Sequence, residues 1–414
     1  MRIRTAGVIA VFTLALAASG CGGGDEPATD ESPKAAGGKL VIWADDKRTA
    51  ALKPFAETFG RENGVTVEVQ AVSKDLQTNF VTASQQGSGP DVVVGAHDWI
   101  GNMVQNGAID PVQLAADQKS AFNETAIKAV TFNGQLYGVP YAMENLALIR
   151  NTALVPEAPK TVEELVAAGK RLKAEKKASE ILCLQSGQNG DAYHIYPLYT
   201  SAGGYLFGTT ANGDYDPKDL GVGKPESIEA FKKIGALGEK GEGVLKRSIT
   251  PENSIATFTG KKCAFLVSGP WAVADVKKAG ISYDITPVPG FAGGKEAQPF
   301  VGVQAFYVAS KGKNKALAQE FVANHVTKPD LAVALYQAEP RPPALTAALD
   351  QVKGSDPDLA KFTEAGRNGQ VLPAIPAMAA IWDPFGKAEA AVIGGADPAR
   401  TITSAGETIA GQIK

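Results

Sequence analysis

Short apolar runs alternate with amphipathic segments along this 414-residue chain, and this alternation constrains its fold more than any other feature. Strands are predicted at 39–44, 65–72 and 91–94, with helices at 49–62, 75–86 and 97–105. A strand followed by a helix, several times over, is typical of an α/β layer with a largely parallel sheet. The first part of the chain is therefore expected to form such a layer.

A second set of strands and helices follows, and the chain then becomes mainly helical. Tight turns are predicted at Asn133-Gly134 and Asn212-Gly213, and a capping box at Thr161 starts a helix. Further strands are predicted at 181–184, 263–267 and 304–309, and helices at 161–173, 192–201, 227–237, 251–258, 314–326, 329–337, 357–368, 378–393 and 397–413. Two sets in a chain of this length predict an α/β protein with two doubly wound lobes.

Charge and motifs exclude several classes of protein. The 41 Lys and Arg residues against 44 Asp and Glu give a formal net charge of −3 without any Lys/Arg-rich run, so nucleic acid is not expected as a partner. The sequence contains no G-x-x-x-x-G-K-[ST], G-x-S-x-G or H-E-x-x-H motif, and its three histidines lie far apart. We therefore expect no cofactor, no metal and no enzymatic activity.

The N-terminus predicts export. Residues 1–20 carry two arginines, an apolar core at 6–17 and small residues before Cys21, which is typical of a signal peptide too short to span a bilayer. Cys21 directly after Ser19-Gly20 resembles a bacterial lipobox, which implies a lipidated cysteine on the extracytoplasmic face of the cell membrane. Plain secretion with a free Cys21 is the alternative. Residues 21–38 predict a flexible tether.

Two further cysteines, Cys183 and Cys263, each lie in a short apolar run. Outside the cytosol a pair that meets forms a disulfide, but spacing does not show that these two meet. A bridge and two buried thiols both stay open.

A series of short segments gives the clearest pointer to function. They are Gly-Lys-Leu-Val-Ile-Trp (38–43), Asp46-Lys47, Gly-Pro-Asp-Val-Val-Val-Gly-Ala-His-Asp (89–98), Tyr-Gly-Val-Pro-Tyr-Ala-Met-Glu (137–144), Tyr-Pro-Leu (196–198), Ala-Gly-Gly-Tyr (202–205), Ser-Gly-Pro-Trp-Ala (268–272), Pro-Phe-Val-Gly-Val (299–303), and Leu-Pro-Ala-Ile-Pro-Ala-Met (372–378) with Trp382. In order and spacing, Gly38 to Lys414 resembles the maltose/maltodextrin-binding proteins of ABC importers, a family of extracytoplasmic solute-binding proteins.

The resemblance implies a periplasmic-binding-protein-like type II fold, in which a hinge joins two lobes. The crossovers implied near 143–144, 303–304 and 354–356 give an N-terminal lobe of 39–142 plus 304–353 and a C-terminal lobe of 143–303 plus 354–414. Ligand that contacts both lobes favours the closed state. The closed form of a monomer is then expected to dock on the permease subunits of an ABC transporter.

The resemblance also implies a sugar site between the lobes. A sugar offers hydroxyls, which need donors and acceptors, and a flat C–H face, which packs on an aromatic ring. The implied ligand-binding residues are Asp46, Lys47, Asp98, Glu144, Asp191, Tyr193, Trp271 and Trp382. His97 is expected to orient its neighbours and Trp43 to lie in the core, while the role of His194 stays open.

Two positions depart from related maltose binders. Trp99 follows Asp98 where an arginine is familiar, and Gly386 replaces another arginine. Arg48 or Arg341 would restore a charge, and Trp99 would add a ring surface. Maltose or maltodextrin is therefore the first expectation, with another di- or oligosaccharide such as trehalose as the alternative.

A glycoside hydrolase is a weaker alternative. Such enzymes use a pair of carboxylates, and here Asp98 and Glu144 would form that pair. Carboxylates are plentiful in a chain of this size, so the pattern is not specific.

Overall fold

The structure is a computed structural model, and it describes residues 38–211 and 214–413. The predicted signal peptide 1–20, Cys21 with the rest of the predicted tether up to residue 37, and the predicted turn at 212–213 lie outside the described residues. Within the described residues, no helix has both the length and the apolar character needed to cross a membrane.

Strands and helices alternate through the first part of the chain, as predicted. The strands are β1 (Lys39–Ala44), β2 (Thr66–Ala71), β3 (Val92–Ala96), β4 (Ile109–Asp110), β5 (Thr131–Phe132), β6 (Gln135–Leu136), β7 (Gly138–Asn145) and β8 (Ala147–Asn151). The helices are α1 (Asp46–Asn63), α2 (Leu76–Gln85), α3 (Ile100–Gln105), α4 (Ala116–Ser120), α5 (Glu124–Ala129) and α6 (Val162–Ala174). A 3₁₀ turn, His97–Trp99, joins β3 to α3.

The second part is richer in helices. Its strands are β9 (Phe207–Thr209), β10 (Tyr215–Leu220), β11 (Phe265–Ser268), β12 (Tyr283–Thr286), β13 (Phe300–Ala309) and β14 (Gln370–Val371). Its α-helices are α7 (Ala192–Ser201), α8 (Pro225–Leu237), α9 (Ser254–Thr259), α10 (Val273–Lys278), α11 (Lys315–Glu320), α12 (Pro329–Ala338), α13 (Thr346–Lys353), α14 (Pro357–Ala365), α15 (Trp382–Ile393) and α16 (Pro398–Gln412). Shorter helical turns are Pro270–Ala272, the π-helical Phe321–His325, and Pro376–Ala380.

The first sheet has the order β14-β13-β3-β1-β2, with β4 and β7 also paired to β13. Strands β1, β2 and β3 are parallel, as the strand-helix alternation predicts, whereas β13 is antiparallel to β3 and to β7. The carboxyl ends of β1 and β3 therefore meet at one edge, which is where open α/β sheets bind ligands.

A β-bulge interrupts the pairing of β7 with β13 near this edge. Gln304 lies opposite Ala142, but Ala305 lies opposite Pro140, so Tyr141 is the extra residue on β7. A bulge re-aims the side chain it carries. The Tyr141 side chain consequently reaches the start of α1, where its hydroxyl accepts a hydrogen bond from Arg48.

The second sheet has the order β11-β8-β12, and both pairs are antiparallel. The prediction of a strand at 181–184 is wrong. Within this segment only Cys183 pairs with the sheet, through a single parallel bridge to Leu266. The segment is buried beside β11 without forming a ladder of its own.

Separate hydrophobic clusters surround the two sheets. One cluster is built from residues between 40 and 142 and between 303 and 348, and it packs around the first sheet. Two others take their residues from 146–300 and 362–409 and pack around the second sheet. The chain thus has the two-lobed α/β fold. The exact lobe boundaries given above stay a prediction.

Cys183 and Cys263 form a disulfide with their Cα atoms 6.1 Å apart, and both residues are fully buried. The bridge joins positions 80 residues apart in sequence, so it restricts a long loop of the unfolded chain. Constraints of this kind typically contribute about 2–4 kcal/mol to the free energy of unfolding.

We expect the double variant Cys183→Ser, Cys263→Ser to lose about 2–4 kcal/mol of unfolding free energy, because its unfolded chain is no longer constrained. Urea denaturation with and without dithiothreitol measures the effect. The reductant should lower the midpoint of the natural protein and leave that of the double variant unchanged. Equal midpoints for the two proteins without reductant would contradict the expectation.

Candidate functional site

The start of α1 places a charged pair at the carboxyl end of β1. Asp45 is the N-cap of the helix, and its side chain accepts a hydrogen bond of 2.9 Å from the Arg48 backbone N–H. The same carboxylate pairs with the Arg48 guanidinium, which also donates to Tyr141. Arg48 is therefore fixed between the helix cap and the bulge of β7.

The two residues predicted here, Asp46 and Lys47, are exposed. Asp46 accepts a hydrogen bond of 2.6 Å from the Ser73 hydroxyl, and Lys47 Nζ lies 3.3 Å from a carboxylate oxygen of Glu339. Glu339 also pairs with Arg341, so Lys47 lies at the edge of a charged cluster that contains both residues. Asp46 contacts Ser73 instead and is not part of this cluster.

Glu144 lies on β7 with only 9% of its surface exposed. Gln304 Nε2 donates to its Oε1 over 3.0 Å, and Arg341 donates to its Oε2. Burial alone would raise the pKa of Glu144, but the charge and the hydrogen bond of Arg341 hold it below the usual value. Glu144 is therefore an ionised carboxylate with a protein donor on each oxygen.

Arg341 reaches Glu144 because the segment after it runs beside β7. The Met143 N–H donates to the Pro342 carbonyl over 2.8 Å, and Ala142 forms a bridge with Pro343. Proline restricts the residue before it to extended conformations, so the two prolines help to fix the backbone at Arg341.

The Arg341 guanidinium also lies over the ring of Trp271, with Cζ 5.2 Å from the ring centroid. Trp271 stands in the short turn after β11, and its ring lies against Gly269, where a Cβ would be 2.1 Å from Cζ3 of the ring. Residue 269 must therefore be glycine for the indole to take this position.

Aromatic side chains continue from Trp271 across the C-terminal part of the chain. Tyr193 lies 6.4 Å from Trp271 and 6.0 Å from Phe300 between ring centroids, and Phe300 lies 6.4 Å from Trp382. The Tyr193 hydroxyl is buried and has no hydrogen-bond partner among the described residues. The structure thus brings three predicted platform residues into one aromatic group.

Asp98 lies in the turn after β3 and is 9% exposed. Burial, together with the nearby Glu144 carboxylate, raises its pKa to about 7, although its own backbone N–H and the Trp382 side chain oppose this. Trp382 is the first residue of α15. The interaction between Asp98 and Trp382 therefore connects the edge of the first sheet with the aromatic group.

His97, the neighbour of Asp98, orients two other segments, as expected. The Val303 N–H donates to its Nδ1 over 3.1 Å, and its Nε2 lies 2.8 Å from the Leu372 carbonyl oxygen. Since Nδ1 accepts, Nε2 carries the proton and donates. His97 is fully buried, and burial lowers its pKa to about 4.

Asp191 lies at the N-cap of α7. It accepts a hydrogen bond of 2.9 Å from the His194 N–H and lies 3.1 Å from His194 Nδ1. Burial opposes ionisation, but these contacts lower the pKa of Asp191 to about 2. The structure shows a capping role for Asp191, and its ligand contact stays a prediction. His194 Nε2 is buried and has no partner among the described residues.

The two departures have physical reasons. Trp99 folds back on Gly95, where a Cβ would be 2.0 Å from its ring. Gly386 is buried against the backbone of Asn189 and Gly190, and a Cβ at 386 would lie 2.8 Å from the Asn189 carbonyl oxygen. An arginine at 386 has no space with this backbone.

Sequence reasoning missed part of the charged cluster. It did not select Asp45, Tyr141, Gln304 or Glu339, and it named Arg341 only as a replacement charge. The bulge at Tyr141 and the long-range pairing of Arg341 leave no local signal, although two prolines after Arg341 are an indication of a fixed backbone.

Other features of the described residues do not coincide with this cluster. A depression of about 430 Å³ lies between α6 and α8 beside Phe291, and another of about 530 Å³ lies beside residues 286–290. Among residues 38–211 and 214–413, no group of three or more His, Cys, Asp or Glu side chains is arranged to hold a metal ion.

Comparison with known proteins agrees with the two-lobed fold. Residues 53–363 match the family of bacterial extracellular solute-binding proteins. A galactooligosaccharide-binding protein of Bacillus subtilis is 29% identical, with 98% of this chain and 96% of the relative covered. A maltotriose-binding protein of Pyrococcus abyssi is 28% identical, with 83% and 75% covered. A maltooligosaccharide ABC transporter solute-binding lipoprotein of Streptococcus pneumoniae is 28% identical, with 91% and 89% covered.

The family match covers most of the chain, and these relatives align over 83–98% of its length. It accounts for the two-lobed fold and agrees with the resemblance seen in the sequence. The chain therefore belongs to the family of bacterial extracellular solute-binding proteins.

Proposed function

We propose that the protein is an extracytoplasmic solute-binding lipoprotein that captures an oligosaccharide of the maltodextrin type between its lobes and delivers it to an ABC permease. One observation carries the proposal: Arg341, which pairs with Glu144 on β7 of the first sheet, lies over the ring of Trp271 in the turn after β11 of the second sheet. Burial and the Glu144 carboxylate raise the pKa of Asp98, and burial with the same carboxylate raises the pKa of Tyr193.

This combination of groups suits a sugar. The Glu144 carboxylate and the Arg341 guanidinium bind hydroxyls as acceptor and donor, while Tyr193 and Trp382 offer ring faces for C–H groups. The Tyr193 hydroxyl, which has no hydrogen-bond partner among the described residues, supplies one more polar contact. Asp98 provides a carboxyl group that is neutral for part of the time near pH 7.

The charge balance favours a neutral ligand. Arg48 is paired with Asp45, Arg341 with Glu144 and Glu339, and Lys47 with Glu339. An anionic ligand needs a cation that is free to pair with it, because a buried charge without a partner is costly. Here each cation already has a carboxylate, which supports an uncharged polyhydroxy ligand.

The names of the relatives support an oligosaccharide and leave its linkage to experiment, since one is named for galactooligosaccharides and two for maltose-type sugars. Maltodextrin remains first because the sequence resemblance is to maltodextrin binders. A lipid on Cys21 would hold the protein at the membrane beside its permease, as one relative is named a lipoprotein.

A glycoside hydrolase would use Asp98 as acid and Glu144 as nucleophile or base, and their pKa values are indeed shifted in opposite directions. However, both Glu144 oxygens already accept hydrogen bonds from Gln304 and Arg341. The ion pair with Arg341 stabilises the Glu144 carboxylate and so makes it a weaker nucleophile or base, which favours binding over hydrolysis.

We expect purified full-length protein to bind one oligosaccharide in calorimetric titrations with maltotriose, β-1,4-galactotriose and trehalose. Trp382→Ala should weaken that binding by about 10-fold or more, because it removes a ring face beside Asp98. The control Trp43→Phe changes an indole that donates to Gln70 over 2.7 Å, outside the cluster, and should bind normally.

Chromatography of the recovered sugar separates the two functions. Unchanged sugar after prolonged incubation supports a binding protein, whereas cleaved maltotriose would replace the proposal by a hydrolase. Absence of binding to all three saccharides would refute the oligosaccharide proposal.

A further inference from the structure

Arg341 lies at the centre of the charged and aromatic groups. Its side chain is 12% exposed, its Nε donates to Glu144, and its Nη1 pairs with Glu339. Its flat guanidinium covers the indole of Trp271 at 5.2 Å. Two carboxylates and a ring face therefore fix one arginine in a single orientation.

A guanidinium has five N–H donors. The pairs with Glu144 and Glu339 account for Nε and for one N–H of Nη1, and the remaining N–H groups have no acceptor in the part of the chain that the structure describes. A guanidinium held on both sides presents these donors as a rigid fork, which suits two oxygen atoms at neighbouring positions.

We infer that Arg341 is a specificity-determining residue: its free N–H groups donate to two adjacent hydroxyls of the bound saccharide, and Trp271 acts as the support that orients it. This inference rests on the proposed function and goes beyond it by assigning a recognition contact. It also changes the expected role of Trp271, since the guanidinium occupies a face of the ring that was expected to stack on sugar.

The departures from related binders agree with this role. Trp99 and Gly386 stand where forked donors are familiar, and Gly386 has no space for a side chain. Arg341 supplies a fork of the same chemistry from another segment. A lysine at 341 would keep the charge but would bring one ammonium group in place of a planar fork.

The opposite possibility is that Arg341 blocks the site and leaves when sugar enters. The two roles predict effects of opposite sign. Removing a hydroxyl contact weakens binding, whereas removing a group that competes with the ligand for the Trp271 face strengthens it. The sign of the change in affinity therefore decides between them.

The test uses calorimetric titration of the full chain with maltotriose and β-1,4-galactotriose. We expect Arg341→Lys to weaken the tighter of the two complexes by about 10- to 100-fold, because hydrogen bonds to a charged group are lost. The matched control Arg367→Lys changes an exposed arginine whose side chain is 69% accessible, and its affinity should not change.

A panel of monodeoxy analogues of the same trisaccharide gives a readout that a structural role would not alter. The natural protein should lose affinity when either of two adjacent hydroxyls is removed, and Arg341→Lys should lose nothing further from those two deletions. Thermal unfolding of each variant shows that it is folded. Arg341→Gln, which is shorter and uncharged, should show the same loss of discrimination.

Unchanged or tighter binding by Arg341→Lys would overturn the inference while leaving the proposed function intact. Equal losses from hydroxyl deletion in the natural protein and in both variants would overturn it as well. If the natural protein binds neither trisaccharide, the proposed function itself has failed, and the inference fails with it.

Discussion

Glu144→Gln is expected to lower the free energy of unfolding by about 3 kcal/mol and to weaken saccharide binding about 100-fold or more. Glutamine keeps the shape of the side chain but removes the charge that faces Arg341. Breaking a buried ion pair by changing one partner typically costs 3–5 kcal/mol. The lower end applies here because Glu339 still pairs with the guanidinium.

The loss of saccharide affinity in this variant has a cause of its own, separate from the loss of stability. The variant replaces an acceptor with an amide whose NH₂ group faces either Arg341 or Gln304, both of which are donors. Two donors facing each other repel, so both the acceptor for sugar hydroxyls and the orientation of Arg341 are lost. Urea unfolding measures the first effect and calorimetric titration with maltotriose and β-1,4-galactotriose the second.

The matched control is Glu229→Gln, which changes a glutamate whose side chain is 65% accessible and pairs with Lys232 on the same helix. Exposed pairs of this kind contribute about 0.3–0.5 kcal/mol, and the sugar affinity should not change. Natural stability and affinity in the Glu144→Gln variant would show that the cluster around Arg341 is neither structural nor part of the site.

Local patterns predicted much of the first sheet. The first apolar run is β1 with the same bounds, 39–44, because a buried parallel strand is read directly from a continuous apolar run. The Asn133-Gly134 turn is also present, with both residues at positive φ between β5 and β6. Both features depend on residues that are neighbours in the sequence, so they can be predicted from the sequence alone.

Other elements depend on distant partners. The run at 181–184 is as apolar as a strand, but only Cys183 finds a backbone partner. In contrast, β7 was not predicted, because it contains Pro140 and ends in polar residues. It nevertheless pairs with β13 along nearly the whole length of β7. Tertiary pairing therefore overrides local preference in both directions.

The site residues also fall into those that local sequence patterns indicate and those that depend on distant partners. Asp98 and Trp271 follow buried strands directly, so the strand ends and the family resemblance together pointed to them. Arg341 contacts a glutamate 197 residues earlier in the chain. No sequence pattern of one chain encodes such a pair, and the exposed positions of Asp46 and Lys47 show that adjacent residues at a helix start cannot be separated by sequence alone.

A second large effect concerns pH. Asp98 has an ordinary pKa of 3.8 and one of about 7 in the folded protein. The folded state thus binds a proton more tightly than the unfolded state. The resulting stability is fully present below pH 3.8 and is lost as the pH rises through 7, so at pH 7 the charged form costs about 4 kcal/mol.

Asp98→Asn resembles the protonated carboxyl group at every pH. We therefore expect it to be more stable than the natural protein by about 4 kcal/mol at pH 7 and by only about 1 kcal/mol at pH 4.5. Binding of saccharide should weaken in the same variant, because the charged acceptor is gone. A stabilising change that weakens binding is what a strained binding-site residue predicts.

His97 opposes this pH dependence in the natural protein. Its pKa is about 4 when folded and 6.5 ordinarily, so its contribution is present above pH 6.5 and is lost as the pH falls through 4, for about 3 kcal/mol in all. The two neighbours therefore nearly cancel between pH 4.5 and 6.5. Without Asp98, the loss of stability in acid due to His97 becomes visible.

Urea unfolding of both proteins between pH 4.5 and 7.5 tests this argument, with the difference between the two curves isolating Asp98 from all other titrating groups. Asp350→Asn, at a side chain 54% accessible, serves as control and should give a difference near zero at each pH. A difference between Asp98→Asn and the natural protein that does not vary with pH would mean that Asp98 is already ionised at little cost. It would then lie in a wetter cleft than the contact with Trp382 implies, and the carboxyl group would meet the sugar as a charged acceptor throughout this range.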